Sequence, residues 1–343
     1  MIVCAVLVGN NRGYNADVLI TYTARALNVP TATELLNLFT HPDIVADVII
    51  SPSTFALKHE SISSLQIQPL YPGQGERYPP RMLVVSPGVD VERFTVSEDF
   101  YDFAREHAAA RQGSAVRPFV VGFTGRLSVE KNVGLFVLSA YEVVQWMRQQ
   151  YGMSDVTAFI RFLVIGDGGL RSHLFDLCVM LDIVPYVQFT GWVSGDSYVD
   201  ALGSVDVLVN PSIRSWSETF CIANIEAMAK GIPLVTFGIG GVGEYIDDAD
   251  VRGYRADEAA AMTSPSPDLF RVVNNAVLME EASPRAITAA VLHVYRHLSL
   301  RKHLGAAGRI TIERSFTVDQ QMRQYEEVYR DIHTKNRGKR LEL

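Results

Sequence analysis

Cysteine is scarce in this sequence. Three stand in 343 residues, Cys4, Cys178 and Cys221, and they lie far apart. No C-x-x-C pair occurs, which argues against zinc ribbons and thioredoxin-type redox chemistry, and a disulfide framework is not expected in so long a chain. Positive charge is also short, with 31 Lys and Arg against 38 Asp and Glu and a net charge of −7. A nucleic-acid groove needs a basic face, so no nucleic-acid partner is expected. Only the closing KNRGKRLEL is locally basic, and such a tail is ordinarily solvated surface. No apolar run reaches the roughly 18 residues that read as a membrane span. The opening MIVCAVLVGNNRG is apolar but short and lacks a basic lead, so it does not read as a signal peptide. A cytoplasmic location is the expectation. The nucleotide-phosphate loop G-x-x-x-x-G-K-[ST] and the metalloprotease motif H-E-x-x-H are both missing.

What is present is a 48% hydrophobic chain long enough for two domains at roughly 150 residues each. From residue 118 strands and helices alternate: PFVVGFTGR, a helical NVGLFVLSAYEVVQWMRQQYG, AFIRFLVIGDGG, LRSHLFDLCVMLDI, YVQFTGW, DSYVDALGSV, DVLVNPS, a helix within SETFCIANIEAMAKG, and PLVTFG. Leu135, Leu138, Val143 and Trp146 mark the expected apolar face of the first helix. Such alternation predicts a parallel sheet covered on both faces. Before residue 118 the text is thinner, with strands read at ADVLITYT, PTATELLNL, ADVIISPS and RMLVVSPGVD, a loop at QPLYPGQGERYPP and a linker at EHAAARQGSAVRP. After Glu244 the stretch DDADVRGYRADEAAAMTSPSPD has no clean period. NNAVLMEEASP then gives a strand and a helix start at Ser283-Pro284, and three helices follow at 285–298, 300–314 and 317–334.

Several strand ends carry chemistry. GRLSVEKN places Arg126 and Lys131 just beyond a strand. Ligands of open parallel sheets bind there, and a forking guanidinium with a point-charge ammonium suits a diphosphate; an ordinary basic loop is the alternative. GDGGLR and FTGWV are two further glycine-bearing strand ends, and the first precedes a helix whose N–H groups are open to an anion. GIGGVG, Gly238 to Gly243, matches a dinucleotide fingerprint but lacks the helix and the later acid; it reads better as a loop that lets backbone approach a ligand. The acid pair in DAD, Asp248 and Asp250, reads as surface charge rather than a metal site.

Two glutamates, Glu218 and Glu226, lie 226 − 218 = 8 positions apart across the start of a helix expected near Phe220 or Cys221. Glu218 precedes the helix and can face the cleft that Arg126 faces. The N–H groups of Phe220, Cys221 and Ile222 fall where a phosphate would dock. Glu226 sits one to two turns in, where a carboxylate can accept bonds from ribose hydroxyls.

The ordered set GRLSVEKN, GDGGLR, FTGWV and NPS…SETFCIANIEAMAKGIPLVTFGIGGVGEY closely resembles the C-terminal domain of family 4, or group 1, glycosyltransferases, and PGVDVERF and RSFTVDQQMRQYEEVY look like that family's domain linker and closing helix. The similarity runs over roughly 80–330. It implies an α/β protein of GT-B type, with two Rossmann-like doubly wound domains facing a cleft. The expected division is 1–115 for an acceptor-side domain and linker, 116–314 for the nucleotide-sugar-binding domain, and 315–343 for a helix returning to the first domain plus the basic tail. The implied activity is retaining hexosyl transfer from a nucleotide diphosphosugar to a glycan, lipid or small-molecule acceptor, with no metal or other cofactor. By the resemblance Arg126 and Lys131 hold the diphosphate, Glu218 touches the sugar hydroxyls and Glu226 the ribose. Thr219, Phe220, Cys221 and Ile222 give backbone contacts, Val193 sits near the base, and Gly125 and Asp167 complete the donor set.

The sequence departs from the family in two places. Cys221 stands where glycine is usual, and the first domain is about half the expected length, with no glycine-pair loop and with His41 in an unconvincing position for a site histidine. Its early units read as absent, which would leave an open sheet edge, marginal solubility and a route to self-association. The rival readings are a nucleotide-sugar-binding module without turnover and a nucleotide-sugar epimerase of the same fold.

Overall fold

A computed structural model describes residues 6–7, 32–34, 48–58, 81–96, 117–215, 218–249 and 263–340. The strand read at ADVLITYT, His41, the loop QPLYPGQGERYPP, nearly all of the linker EHAAARQGSAVRP, Asp250 and the last three residues of the basic tail lie outside the described residues. The expectation that early units of the first domain are absent falls largely on residues that also lie outside them.

Two sheets are present. β1 (Val6–Leu7), β2 (Ala32–Glu34), β3 (Val48–Ser51) and β4 (Arg81–Val84) form a parallel sheet in that order, with α1 (Thr54–Lys58) after β3. The second sheet holds β5 (Phe119–Thr124), β6 (Ile160–Ile165), β7 (Val187–Gly191), β8 (Val207–Asn210), β9 (Leu234–Thr236), β10 (Phe270–Val273) and β11 (Ala276–Met279). Its order is β10-β11-β9-β8-β5-β6-β7, parallel except for the β10–β11 hairpin. The apolar runs VLVN of β8 and LVT of β9 are buried throughout, as central parallel strands must be. β10 has no counterpart among the strands read from the sequence: it carries an exposed Arg271 and follows a stretch read as loop.

The helices divide between the faces. α2 (Val133–Tyr151), α3 (Arg171–Met180) and α6 (Pro284–Arg296) cover one face, with Phe136, Phe162, Leu174 and Ile287 among the buried side chains. Ser283 caps α6 by accepting from Ala286 N at 3.1 Å, the start that Ser-Pro announced. The apolar face expected of α2 was partly misplaced. Its buried stripe is Val133, Phe136, Val137, Ala140, Val143, Val144 and Met147, whereas Leu138 is exposed and Leu135 and Trp146 are only partly covered. α4 (Gly195–Gly203), α5 (Ile222–Ala229) and the end of α7 (Leu298–Ser315) cover the other face, together with Val89 and Phe94.

α8 (Val318–Arg340) leaves the second sheet and packs Val328 against Ile50 and Val85, beside Tyr325 and Leu83. The chain therefore passes between the sheets twice, and the two passages touch. Val89 N donates to Phe316 O at 2.8 Å, and Val318 N donates to Val89 O at 3.1 Å. Arg309 of α7 gathers the first passage, donating to the carbonyls of Val91 at 3.0 Å and Phe94 at 2.7 Å, and to Ala229 O at 2.5 Å. Glu244 Oε1 accepts from Phe55 N at 2.8 Å, so the second unit caps the start of α1 in the first. Among the described residues no helix is long and apolar enough to cross a membrane.

Candidate functional site

Strand order reverses between β5 and β8, which makes the crevice beyond their carboxyl ends the place where a ligand is expected. The loop after β5 carries Gly125, Arg126 and a 3-10 turn, Val129–Lys131. Asn132 follows with a left-handed φ of 51° and donates Nδ2 to Pro211 O at 3.2 Å, tying this loop to the one after β8. Lys131 Nζ lies 2.7 Å from Glu218 Oε1, and the Glu218 side chain is 1% exposed. Burial works against the Lys131 ammonium, but the neighbouring Cys221 and Glu218 outweigh it and hold its pKa above the ordinary lysine value. The sequence reading gave these two residues separate duties; the structure joins them. Arg126 is the opposite case, 76% exposed, with Glu130 at 3.9 Å beside it.

The loop after β8 ends in Cys221, the residue before α5, at φ 62° and ψ 80°. That is left-handed backbone, where glycine is at ease and a side chain is strained, which accords with the glycine that the family resemblance leads one to expect there. A buried network supports the strain. Asn210 Nδ2 donates to Cys221 Sγ at 3.3 Å and to Asn224 Oδ1 at 3.2 Å, and Asn224 Nδ2 donates to the Tyr245 hydroxyl at 2.9 Å. Phe220 is buried against Tyr245 and Phe316 and pins the loop. The Cys221 side chain does not cap α5, and the helix starts at the exposed Ile222 and the half-buried Ala223, so its start lies at the surface, where the N–H groups of a first turn can meet an anion. Cys221→Gly is expected to raise the melting temperature, since relief of left-handed strain is worth about 1–3 kcal/mol against the weak bonds that the sulfur makes with Asn210 and Glu218. Thermal unfolding of the two proteins checks this, and a lower melting temperature counts against the strain.

Two glycine loops do something other than expected. GIGGVG does bring backbone close, but to the protein itself: a Cβ on Gly241 would overlap Thr219 O, and one on Gly240 would overlap Glu218 O. A 3-10 turn, Gly240–Glu244, follows in place of a dinucleotide helix. In GDGGLR several N–H groups are already engaged. Gly168 N donates to Asp167 Oδ1 at 2.8 Å, Leu170 N to Leu127 O at 3.0 Å and Gly166 N to Gly191 O at 3.1 Å. Asp167 also lies 3.3 Å from Arg171, and its backbone carbonyl accepts from Leu127 N. This loop buttresses the Arg126 loop. Val193 is half-buried against the α4–α5 face, next to Trp192 at 79% exposure.

Glu226 is half-buried on α5 and accepts from the Tyr198 hydroxyl at 2.6 Å. Burial pushes its carboxyl above the ordinary range, partly offset by Tyr198 and the charge of Arg93. Sequence reasoning missed Tyr198, Asn132 and the Asn210–Asn224–Tyr245 network. Apart from the Pro after Asn210, which breaks a strand with a polar residue at its end, nothing local marked them. A groove of about 1190 Å³ runs along β7 between α3 and α4, lined by Arg171, Phe175, Phe189 and Asp200 among others. It does not include Arg126, Lys131 or either glutamate. Among the described residues no three His, Cys, Asp or Glu side chains gather as a metal site requires.

The model of the family described as glycosyl transferases group 1 matches residues 118–297, which hold every residue of this crevice. The chain belongs to the group 1 glycosyl transferases. Among similar proteins, the GDP-mannose-dependent alpha-mannosyltransferase of Mycolicibacterium smegmatis is 30% identical over 225 residues, 64% of this chain and 48% of that protein. The D-inositol 3-phosphate glycosyltransferase of Salinispora arenicola is 30% identical over 171 residues, 50% of this chain and 37% of that one. Each match thus spans less than half the length of the relative. The crystal structure of Anabaena HepE in complex with UDP and glucose superposes with a TM-score of 0.67 at 15% identity, covering 94% of this chain and 77% of that one. At that identity the likeness is one of fold, and it establishes the GT-B architecture of this glycosyl transferase.

Proposed function

We propose that this group 1 glycosyl transferase takes its sugar from a nucleotide diphosphosugar, a UDP- or GDP-sugar, and passes it to an acceptor with retained configuration and without a metal ion. The observation that carries the reading is the buried Lys131–Glu218 pair beside the start of α5, at the point where strand order reverses. As the bond to the sugar breaks, the sugar becomes oxocarbenium-like and the departing diphosphate gains negative charge. Lys131, kept cationic by its partner, and the α5 N–H groups are fixed before the reaction, so they stabilise that charge without reorganising. Arg126, exposed at the rim, folds onto the diphosphate as it enters. Glu226 takes the ribose hydroxyls, and the carboxylate of Glu218 orients the sugar through the lone pairs that Lys131 leaves. The relatives support a nucleotide-linked donor: one is named for GDP-mannose, and HepE was crystallised with UDP. The acceptor is a glycan, a lipid or a small polyol.

Calorimetric titration with UDP, GDP and ADP tests this reading. Arg126→Ala is expected to weaken the best of the three by about ten- to hundredfold, the worth of a charged hydrogen bond of about 1.5–3 kcal/mol. Equal binding by both proteins removes Arg126 from the donor grip. No binding of any nucleotide by the wild-type chain removes the donor reading itself.

A further inference from the structure

Glu226 occupies an unusual place for a ligand-binding acid. Its neighbours on α5, Ile225, Ala227 and Met228, are fully buried. A carboxylate there is costly unless hydrogen-bonded, and it tends to take up a proton instead. The structure supplies one strong donor, the Tyr198 hydroxyl of α4, at 2.6 Å from Oε2. Tyr198 is itself held. Its ring meets Phe94 edge-on with centroids 6.3 Å apart, Phe94 is buried, and the Phe94 carbonyl is gripped by Arg309 at 2.7 Å. Thr124, the last residue of β5, lies beside the Tyr198 hydroxyl, so the pair stands at the carboxyl end of the strand that borders the crevice.

Resting on the donor reading above, we propose that Tyr198 is a positioning residue for Glu226: its hydroxyl fixes Oε2 and turns Oε1 toward the hydroxyls of the donor's ribose. Burial, helped by the nearby Glu226 charge, keeps the phenol neutral and therefore a donor across the working pH range. The other charged group facing Glu226 is Arg93, from the 88–94 passage, whose guanidinium is shared with Asp196 at 3.0 Å. Arg93 is half-exposed and screened, which leaves Tyr198 as the close partner that keeps the carboxylate ionised. The competing view is that the bond merely ties α4 to α5.

The two views separate in a pH profile of binding. UDP-glucose and GDP-mannose are suitable probes because a diphosphate esterified at both ends does not titrate in the mildly acidic range. With the tighter of the two, binding to the wild-type chain is expected to fall as pH drops and Glu226 takes a proton. Tyr198→Phe removes a bond that favours the charged form, so the acid limb moves to higher pH and affinity falls about tenfold. Tyr198 replaced by 3-fluorotyrosine, a stronger donor of nearly equal size, moves the limb to lower pH and serves if the Phe variant folds poorly. Glu226→Gln gives weak, pH-independent binding. A wild-type profile in both Tyr198 variants, with Glu226→Gln impaired, overturns the positioning role alone. Wild-type binding by Glu226→Gln overturns the assignment of Glu226, and with it the donor reading at this end of the crevice.

Discussion

Replacing Lys131 with methionine is expected to lower folding stability by about 3–5 kcal/mol, the range found when one member of a buried ion pair is removed, and to abolish nucleotide binding. Glu218 is 1% exposed and its close partner is the Lys131 ammonium at 2.7 Å. Without that ammonium the carboxylate is left buried and uncompensated. Urea unfolding of the variant and the wild type measures the loss. The double variant Lys131→Met, Glu218→Leu should recover most of the stability, since an apolar pair often replaces a buried ionic one without loss, but none of the binding. Wild-type stability in the single variant would show that water reaches Glu218 freely.

Gly241→Ala should have the next largest effect, and it reaches the same place from behind. Gly241 N donates to Glu218 O at 2.8 Å, and an added Cβ would overlap the backbone carbonyl of Thr219. A side-chain tip could swing aside; a peptide carbonyl cannot. The 218–221 loop must retreat, taking Glu218 off Lys131 and shifting the start of α5. Overpacking of this kind costs about 1–3 kcal/mol, and the affinity for UDP or GDP should fall by more than about tenfold. Gly134→Ala is the control, because a Cβ there meets nothing within 4 Å. Calorimetric melting and titration of both variants check the contrast. Unchanged binding by Gly241→Ala would separate this glycine loop from the donor grip.

Much of the second sheet could be read from the sequence because its strands are short, mainly apolar runs closed by glycine, proline or polar residues. VLVN and LVT announce buried parallel strands whatever surrounds them. Ser283-Pro284 likewise announces α6 through local capping chemistry. That Arg126, Lys131 and Glu218 lie in loops beyond strand ends, with Glu226 in the helix that follows, was legible from that alternation. What stayed hidden depends on contacts between distant residues. Lys131 and Glu218 are 87 positions apart, and Tyr198 and Glu226 are 28 apart, so neither pair leaves a local signature. The glycines of GIGGVG advertise close approach but not to what, and the partner proved to be Thr219. The face of α2 was misjudged because Leu138 and Trp146 are apolar yet lie outside the stripe set by Phe136, Ala140 and Met147. β10 escaped notice because its Arg271 points outward and pairs with Asp248 and Glu280.

The paired passages at Val89 and Val318 bind the two units along a seam rather than at a single tether. Val89 bonds on both sides, to Phe316 and Val318, and a Cβ on Gly88 would strike Thr317 O, so the plies lie in direct contact. A seam of that kind behaves like the spine of a book. Folding about it leaves the bonds at Val89 intact, whereas a twist or slide of one cover against the other has to shear them. Any movement of the first unit toward the crevice beside Lys131 that keeps these bonds is thus confined to one arc.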